Sequence, residues 1–96
     1  MSRKKKHEEQ DILIVQEGCG NCSFAKSVLK ESIESGKIRL VDANSPEGRE
    51  LANENNVEGT PMLLTRDEKL GAMKKCYLSA DGKKAYCEDK TEKRLV

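Results

Sequence analysis

The sequence has no long hydrophobic run and little net charge. No apolar stretch approaches the roughly 20 residues that a membrane-spanning helix needs, and the polar first eleven residues lack the apolar region of a secretory signal peptide. The net charge of +1 at pH 7 gives no general attraction to nucleic acid or to anionic membranes. The single histidine, His7, lies in this charged start, and we assign it no catalytic role. We therefore expect a cytoplasmic protein that binds neither nucleic acid nor membrane.

The length of the chain allows one domain. Ninety-six residues are enough for one modest core and too few for two. Residues 1–11 carry seven charges and Glu88 to Arg94 carry six, which leaves 22 of the 35 charges for the other 78 residues. That share is close to the roughly 25% of an ordinary soluble domain. We expect a disordered charged tail over residues 1–11, a single domain over residues 12–96, and a monomer.

Apolar patterning predicts strands and helices that alternate along the chain. Continuous β-branched runs are typical of buried strands, and apolar residues that recur every three to four positions are typical of helices. A serine cap followed by proline and an acid marks a second helix start. This order implies a parallel βαβ unit with a right-handed crossover. The predicted elements are a strand at Ile12–Val15, a helix from Gly20 to Gly36, a strand at Ile38–Asp42, a helix that begins at Ser45 and fades at Asn55–Asn56, and a strand that begins at Met62.

The last third of the chain leaves two alternatives open. Residues 67–69 suit a turn, and Leu70–Leu78 suits an antiparallel strand. Residues 79–82 then form either a hairpin turn, with a glycine in the left-handed region, or the cap of a final helix. In the hairpin, Tyr77 and Tyr86 would pair across the two strands.

The segment Cys19–Gly20–Asn21–Cys22 joins the first strand to the first helix. Cys19 directly precedes the helix, where unpaired N–H groups and the positive end of the dipole favour an anion. Cys22 begins the apolar stripe, so we expect its sulfur to be the more buried one, and we expect Phe24 in the core. Thiol–disulfide exchange requires an exposed thiolate beside a shielded thiol. We therefore predict that Cys19 is the attacking thiol and Cys22 the resolving thiol.

Together with this CGNC segment, Val41–Lys69 resembles the middle of thioredoxins. It has an Asp–x–Asn turn after a strand, a short helix, a Val–x–Gly–Thr–Pro loop and an apolar strand. The resemblance implies an α/β, thioredoxin-like fold with a central mixed β-sheet flanked by helices, in the order βαβαβ followed by a β-hairpin, a C-terminal helix or both. It implies a dithiol–disulfide oxidoreductase without a cofactor, which acts on disulfide-containing protein substrates and is served by a reducing partner. The substrate-binding residues that it implies are Gly20, Asn21, Thr60 and Pro61, with Pro61 a cis-proline and the Thr60 backbone pairing with an extended substrate.

The chain departs from these families at several positions. Thioredoxins usually have tryptophan where this chain has Gly18, proline where it has Asn21, and a buried acid where it has Leu13. Glutaredoxins usually have lysine where this chain has Gln16, and their glycine-rich glutathione contact is at best loosely echoed at residues 80–82. A protein dithiol is therefore the expected partner, ahead of glutathione.

The second pair of cysteines keeps other functions open. Cys19, Cys22, Cys76 and Cys87 could bind zinc or an iron–sulfur cluster, although ten residues separate the last two, unlike a second CxxC. A non-catalytic adaptor with the same fold is a further alternative. A two-residue turn would place Cys76 opposite Cys87 at a hydrogen-bonded position, with Cα atoms ~5.5 Å apart and within disulfide range. A three-residue turn would place them on opposite faces. We expect this second disulfide, and two independent buried thiols are the alternative.

Overall fold

A computed structural model of the protein describes residues 10–67 and 72–95. In chain order the elements are β1 (Asp11–Val15), α1 (Gly20–Val28), α2 (Lys30–Glu34), β2 (Ile38–Asp42), α3 (Pro46–Asn55), β3 (Met62–Asp67), β4 (Ala72–Leu78), β5 (Lys84–Cys87) and β6 (Glu92–Arg94). They form an α/β structure with one mixed sheet of six strands in the order β2–β1–β3–β4–β5–β6. None of the helices in these two ranges is long and apolar enough to cross a membrane.

Strand β1 lies between β2 and β3 and is buried along its whole length. It pairs in parallel with β2, and α1 and α2 form the crossover between them. On its other side β1 pairs antiparallel with β3, and every later neighbour in the sheet is also antiparallel. The parallel βαβ unit is therefore limited to β1 and β2. Because β1 and β3 run in opposite directions, the end of β1 and the start of β3 meet at one edge of the sheet.

Side chains alternate along the strands and form a core on each face of the sheet. The first core lies beneath α1 and α2 and extends to β4 and β5, whereas the second lies beneath α3. Helices thus flank both faces, and α3 contacts β2 and β4 across the second face. The first core contains Leu13, Val15, Cys22, Ala25, Leu29, Ile38, Leu63, Cys76, Ala85 and Cys87, and the second contains Ile12, Ile14, Val41, Met62 and Leu64.

Two boundaries in the first half differ from the sequence prediction. The helix predicted from Gly20 to Gly36 is interrupted at Leu29, which has φ −98° and ψ 16°. The Leu29 side chain is fully buried, and Ile33, one turn further on, packs against the same core. Asp11 belongs to β1 and not to the predicted tail, because it pairs with Ile38 and its carboxylate accepts from Lys93 Nζ at 2.6 Å.

The C-terminal segment forms a β-hairpin, and no helix follows it within the described residues. Tyr77 is opposite Tyr86, the register expected for a turn centred on residues 81–82. The loop itself is longer than the predicted two residues: the Ser79 N–H donates to the Lys84 carbonyl at 2.9 Å, which leaves residues 80–83 as the loop. The predicted turn at residues 67–69 falls largely on residues 68–71, which lie outside the described ranges.

The longer loop shifts the hydrogen-bonding alternation by one position. Ser79 and Lys84 form a hydrogen-bonded pair, and the Glu88 N–H donates to the Lys75 carbonyl at 2.9 Å. Cys76 and Cys87 therefore lie at a non-hydrogen-bonded position, where opposite Cα atoms are closer together. Their Cα separation is 3.8 Å. The predicted hydrogen-bonded position with ~5.5 Å between Cα atoms is wrong, although the predicted partner is correct.

The last strand, β6, lies close to the start of β1 and to α2. Lys93 of β6 reaches Asp11 at the start of β1, and the Ser32 hydroxyl of α2 donates to the Leu95 carbonyl at 3.4 Å. The Leu95 side chain also packs against the first core. The sheet is thus curled so that β6 covers the end of the core opposite the Cys19 end of β1.

Candidate functional site

Cys19 is the N-cap residue of α1. Its backbone is extended (φ −91°, ψ 114°), and its Sγ accepts the N–H of Cys22 at 3.1 Å. The segment between β1 and α1 turns sharply at Gly18, which has φ +83°, a conformation that other residues rarely adopt. A sulfur that caps a helix in this way satisfies one of the free N–H groups of the first turn. Negative charge on that sulfur would be stabilised by the same N–H group and by the helix dipole.

Cys19 and Cys22 are joined in a disulfide, with their Cα atoms 5.2 Å apart. Only 1% of the Cys22 surface is exposed, whereas Cys19 is half-buried at the edge of the first core. Cys22 is buried because it lies on the inner face of α1 with Ala25. A molecule approaching from solvent therefore reaches the Cys19 sulfur first.

The loop before β3 lies beside this disulfide. The Thr60–Pro61 peptide bond is cis, and the Thr60 carbonyl oxygen is 3.7 Å from Cys19 Sγ. The two segments meet because β3 starts at the edge of the sheet where β1 ends, with Ile14 opposite Met62. Of the other residues expected at the site, Gly20 and Asn21 lie exposed in the first turn of α1. The four residues implied as substrate contacts therefore lie around one sulfur pair.

Within residues 10–67 and 72–95, no buried carboxylate lies near Cys22. Among the described residues the buried polar or charged side chains are Asp11 and Thr65. Asp11 lies at the far end of β1 and is paired with Lys93, and Leu13 is fully buried in the first core. Among these residues, therefore, no buried carboxylate is placed to accept a proton from Cys22.

A groove of about 260 Å³ begins at this site and runs between α1 and the β4–β5 loop. The expectation that Phe24 is a core residue is wrong, since 48% of its surface is exposed and it lines the groove. Phe24 departs from the inner face of α1 that Cys22 and Ala25 occupy, and that spacing is the signal that could have identified it. The residues along the groove are Asn21, Phe24, Ala25, Pro61, Tyr77, Leu78, Ser79, Ala80 and Gly82.

Cys76 and Cys87 form a second disulfide between β4 and β5. Cys76 is fully buried and Cys87 nearly so, and both belong to the same core as Cys22. The Thr65 hydroxyl lies 3.8 Å from Cys76 Sγ. Both sulfurs of this pair are therefore shielded from solvent, unlike the half-buried Cys19.

Within residues 10–67 and 72–95, no group of three or more His, Cys, Asp or Glu side chains is arranged to hold a metal ion. The four cysteines are divided between two separate disulfides. No protein-family model, no curated protein and no solved structure matches the chain.

Proposed function

We propose that the protein is a thiol–disulfide oxidoreductase of the thioredoxin-like superfamily, which reduces or exchanges disulfides in protein substrates. The observation that carries the proposal is the placement of Cys19 Sγ. It caps α1 at 3.1 Å from the Cys22 N–H, and it faces the Thr60 carbonyl at 3.7 Å. A mixed sheet with helices on both faces agrees with the fold that the sequence resemblance implies.

The reaction moves two electrons and requires the reduced form of the pair. The Cys19 thiolate attacks one sulfur of a substrate disulfide, a mixed disulfide forms, and the other substrate sulfur leaves as a thiolate. The Cys22 thiolate then attacks Cys19 Sγ, closes the Cys19–Cys22 disulfide and releases the second substrate sulfur. A dithiol reductant regenerates the reduced pair by the same exchange, and the reverse sequence would oxidise a substrate.

The two cysteines are suited to different steps. Helix-capping stabilises Cys19 as a thiolate, which favours it both as nucleophile and as the leaving group in regeneration. Cys22 is buried under α1, so it meets Cys19 Sγ within the protein but is shielded from a bulky substrate. The Thr60 backbone, next to Cys19, can pair with an extended substrate segment as a strand pairs with a sheet edge.

The direct test is reduction of insulin disulfides with dithiothreitol as electron donor. We expect the wild-type protein to accelerate the reaction, Cys19→Ser to abolish the acceleration, and Cys22→Ser to form a mixed disulfide that it cannot resolve. Ser27→Ala, an exposed change on the same helix, is the matched control and should retain full activity. If the wild-type protein were no more active than Cys19→Ser, the proposed enzymatic activity would be refuted. The non-catalytic adaptor would then remain as the interpretation.

Two further measurements separate the proposal from its alternatives. In freshly purified, untagged protein we expect less than one equivalent of zinc or iron in ten chains, and one equivalent per chain would favour the metal-binding alternative. A limiting dose of iodoacetamide on reduced protein should modify Cys19 before Cys22 because of the difference in burial. Labelling of Cys22 first would reverse the two assigned roles.

A further inference from the structure

We infer that the outer edge of β2 is a self-association surface, which pairs antiparallel with the β2 strand of a second copy of the chain. The two sheets then join across a twofold axis, as in an isologous dimer. The inference does not depend on the proposed function. It departs from the monomer expected from the sequence, because the strand order of the fold decides which strand lies at an edge.

The sheet has two edge strands, β2 and β6, and they differ in how well they are protected. Strand β6 is three residues long, has a charged residue at every position and is exposed throughout. Short length and charge are features by which edge strands avoid pairing with other chains. Strand β2 is five residues long, and at its centre Leu40 exposes 40% of its surface. Strand β2 is therefore the edge that is open to pairing.

The charged side chains of β2 do little to protect this edge. The Arg39 guanidinium forms an ion pair with Glu47 of α3, and its Nη1 donates to Oε1 at 2.9 Å. The Asp42 carboxylate accepts the Asn44 N–H at 2.8 Å, in the turn that leads to α3. The cation of β2 is thus neutralised within its own chain, and the carboxylate lies at the end of the strand, away from its centre.

The parallel ladder between β1 and β2 shows which backbone groups of β2 face outwards. The Lys37 carbonyl accepts the Asp11 N–H at 3.2 Å, and the Ala43 N–H donates to the Val15 carbonyl at 2.7 Å. Because backbone groups alternate in direction along a strand, odd-numbered positions of β2 direct theirs towards β1. The backbone groups at positions 38, 40 and 42 therefore face away from the sheet.

Most of this outward set is free to pair. Among the described residues, the outward N–H and carbonyl groups of Ile38 and Leu40 have no hydrogen-bond partner, and neither has the Asp42 N–H. The Asp42 carbonyl is already used, since it accepts from the backbone N–H and the hydroxyl of Ser45 at 3.0 Å and 2.6 Å. The free groups are thus centred on Leu40.

This arrangement is self-complementary, which favours a second copy as the partner. When Leu40 lies opposite Leu40 of the second copy, the two residues exchange N–H···O=C bonds, and each Asp42 N–H reaches the Ile38 carbonyl of the other copy. The two exposed leucine side chains then lie against each other. A pair centred on Arg39 would instead place two guanidinium groups directly opposite, where like charges are destabilising.

Pairing at this edge leaves the Cys19 site uncovered. Strand β2 runs parallel to β1, so both strands end on the side of the sheet where Cys19 lies. In an antiparallel pair the second copy runs in the opposite direction. The two Cys19 sites therefore lie at opposite ends of the joined sheet, and each remains accessible.

Cysteine cross-linking tests the register. In the Cys19→Ser/Cys22→Ala background, Leu40→Cys should place two thiols opposite each other, with Cα atoms ~5.5 Å apart and within disulfide range. Lys37→Cys is the matched control, because this exposed position on the same side of the molecule is about 20 Å from its counterpart in this register. Arg94→Cys samples the β6 edge. We expect Leu40→Cys to form covalent dimer about tenfold or more faster than either control, because pairing raises the effective thiol concentration.

Sedimentation equilibrium tests the association without a cross-link. We expect the wild-type mass to rise from that of one chain towards that of two at concentrations on the order of 100 µM, since an interface of this size is weak. Leu40→Lys should shift the association to about tenfold or more higher concentrations. An unchanged thermal midpoint shows that this variant is folded. Tyr86→Lys is the matched control, because Tyr86 is comparably exposed on β5, and it should associate as the wild type does.

Three results would overturn the inference. The first is a single-chain mass at every concentration up to roughly 1 mM. The second is equal cross-linking rates for Leu40→Cys and Lys37→Cys. The third is a dimer that Tyr86→Lys dissociates and Leu40→Lys does not, which would place the contact on the exposed tyrosine side chains. None of these results bears on the proposed function, which is tested separately by insulin reduction.

Discussion

Breaking the Cys76–Cys87 disulfide should cost the protein much of its stability. The bond joins β4 to β5, and its closed loop spans a sequence separation of 11 residues. In the chain-entropy description, a loop of this size removes about 9 cal/mol/K from the unfolded state, or about 3 kcal/mol at 25 °C. Domains of this length lose roughly 4–8 °C in midpoint per kcal/mol. We therefore expect reduction to lower the thermal midpoint by roughly 12–24 °C.

The measurement needs a protein in which only this disulfide can respond. Cys19→Ser/Cys22→Ala removes the first pair, and thermal and urea unfolding are then compared with and without a phosphine reductant. Because Cys76 and Cys87 are buried, reduction is carried out on unfolded protein and checked by counting two free thiols per chain. Adding Cys76→Ala/Cys87→Ala to this background gives the control, whose stability should not change with reductant.

Two different results would refute the prediction, and the assay distinguishes them. Two free thiols in protein never exposed to reductant would mean that the bond does not form. A fully reduced protein with an unchanged free energy of unfolding would mean that the bond forms without restraining the unfolded chain.

Two other predictions concern stability and pH. A Cβ at Gly48 would overlap the carbonyl of Asp42, so Gly48→Ala should destabilise the protein by about 1–3 kcal/mol in urea unfolding. Gly20→Ala is the control and should not destabilise it, because a Cβ there would meet open space. Equal effects of the two substitutions would contradict the close contact of α3 with β2. Hydrogen bonds from Thr91 and Lys74 hold the pKa of Asp89 well below its ordinary value. The ionised Asp89 therefore contributes fully to the free energy of unfolding at neutral pH, and this contribution is lost only as the pH falls below the usual carboxyl range. Titration followed by NMR should show this, and an ordinary carboxyl midpoint for Asp89 would refute it.

Local patterns predicted most of the first half of the fold. The apolar run that ends at Val15, the stripe headed by Cys22 and the Ser45–Pro46 helix start each depend on neighbours in sequence, so their signals lie within a few residues. The same reasoning placed the CxxC pair at a strand–helix junction, where the structure has it. The antiparallel direction of β4 was also predicted, since a short turn joins it to β3. The direction of β3 relative to β1 depends on contacts between distant segments and could not be derived in this way.

Three features of the structure were not predicted, for different reasons. The loop length at residues 80–83 decides the hydrogen-bonding alternation of the hairpin, and two turn lengths fit the same sequence. Phe24 is apolar, so composition alone placed it in the core, but its position on the helix directs it to the groove. The ion pair between Lys93 and Asp11 joins residues 82 positions apart (93 − 11), and no local sequence pattern predicts a contact over that separation.

The contact of the β6 segment with the start of β1 also has a consequence for attaching the protein to a surface or a label. Gln10 and Leu95 both lie at the start of β1, near Asp11 and α2, whereas Cys19 lies beyond the other end of this five-residue strand. Five strand residues span about 16 Å. A surface or a dye linked at position 10 or position 95 would thus be held at the pole opposite Cys19. The disulfide face would point away from the anchor, free to meet large molecules arriving from solution.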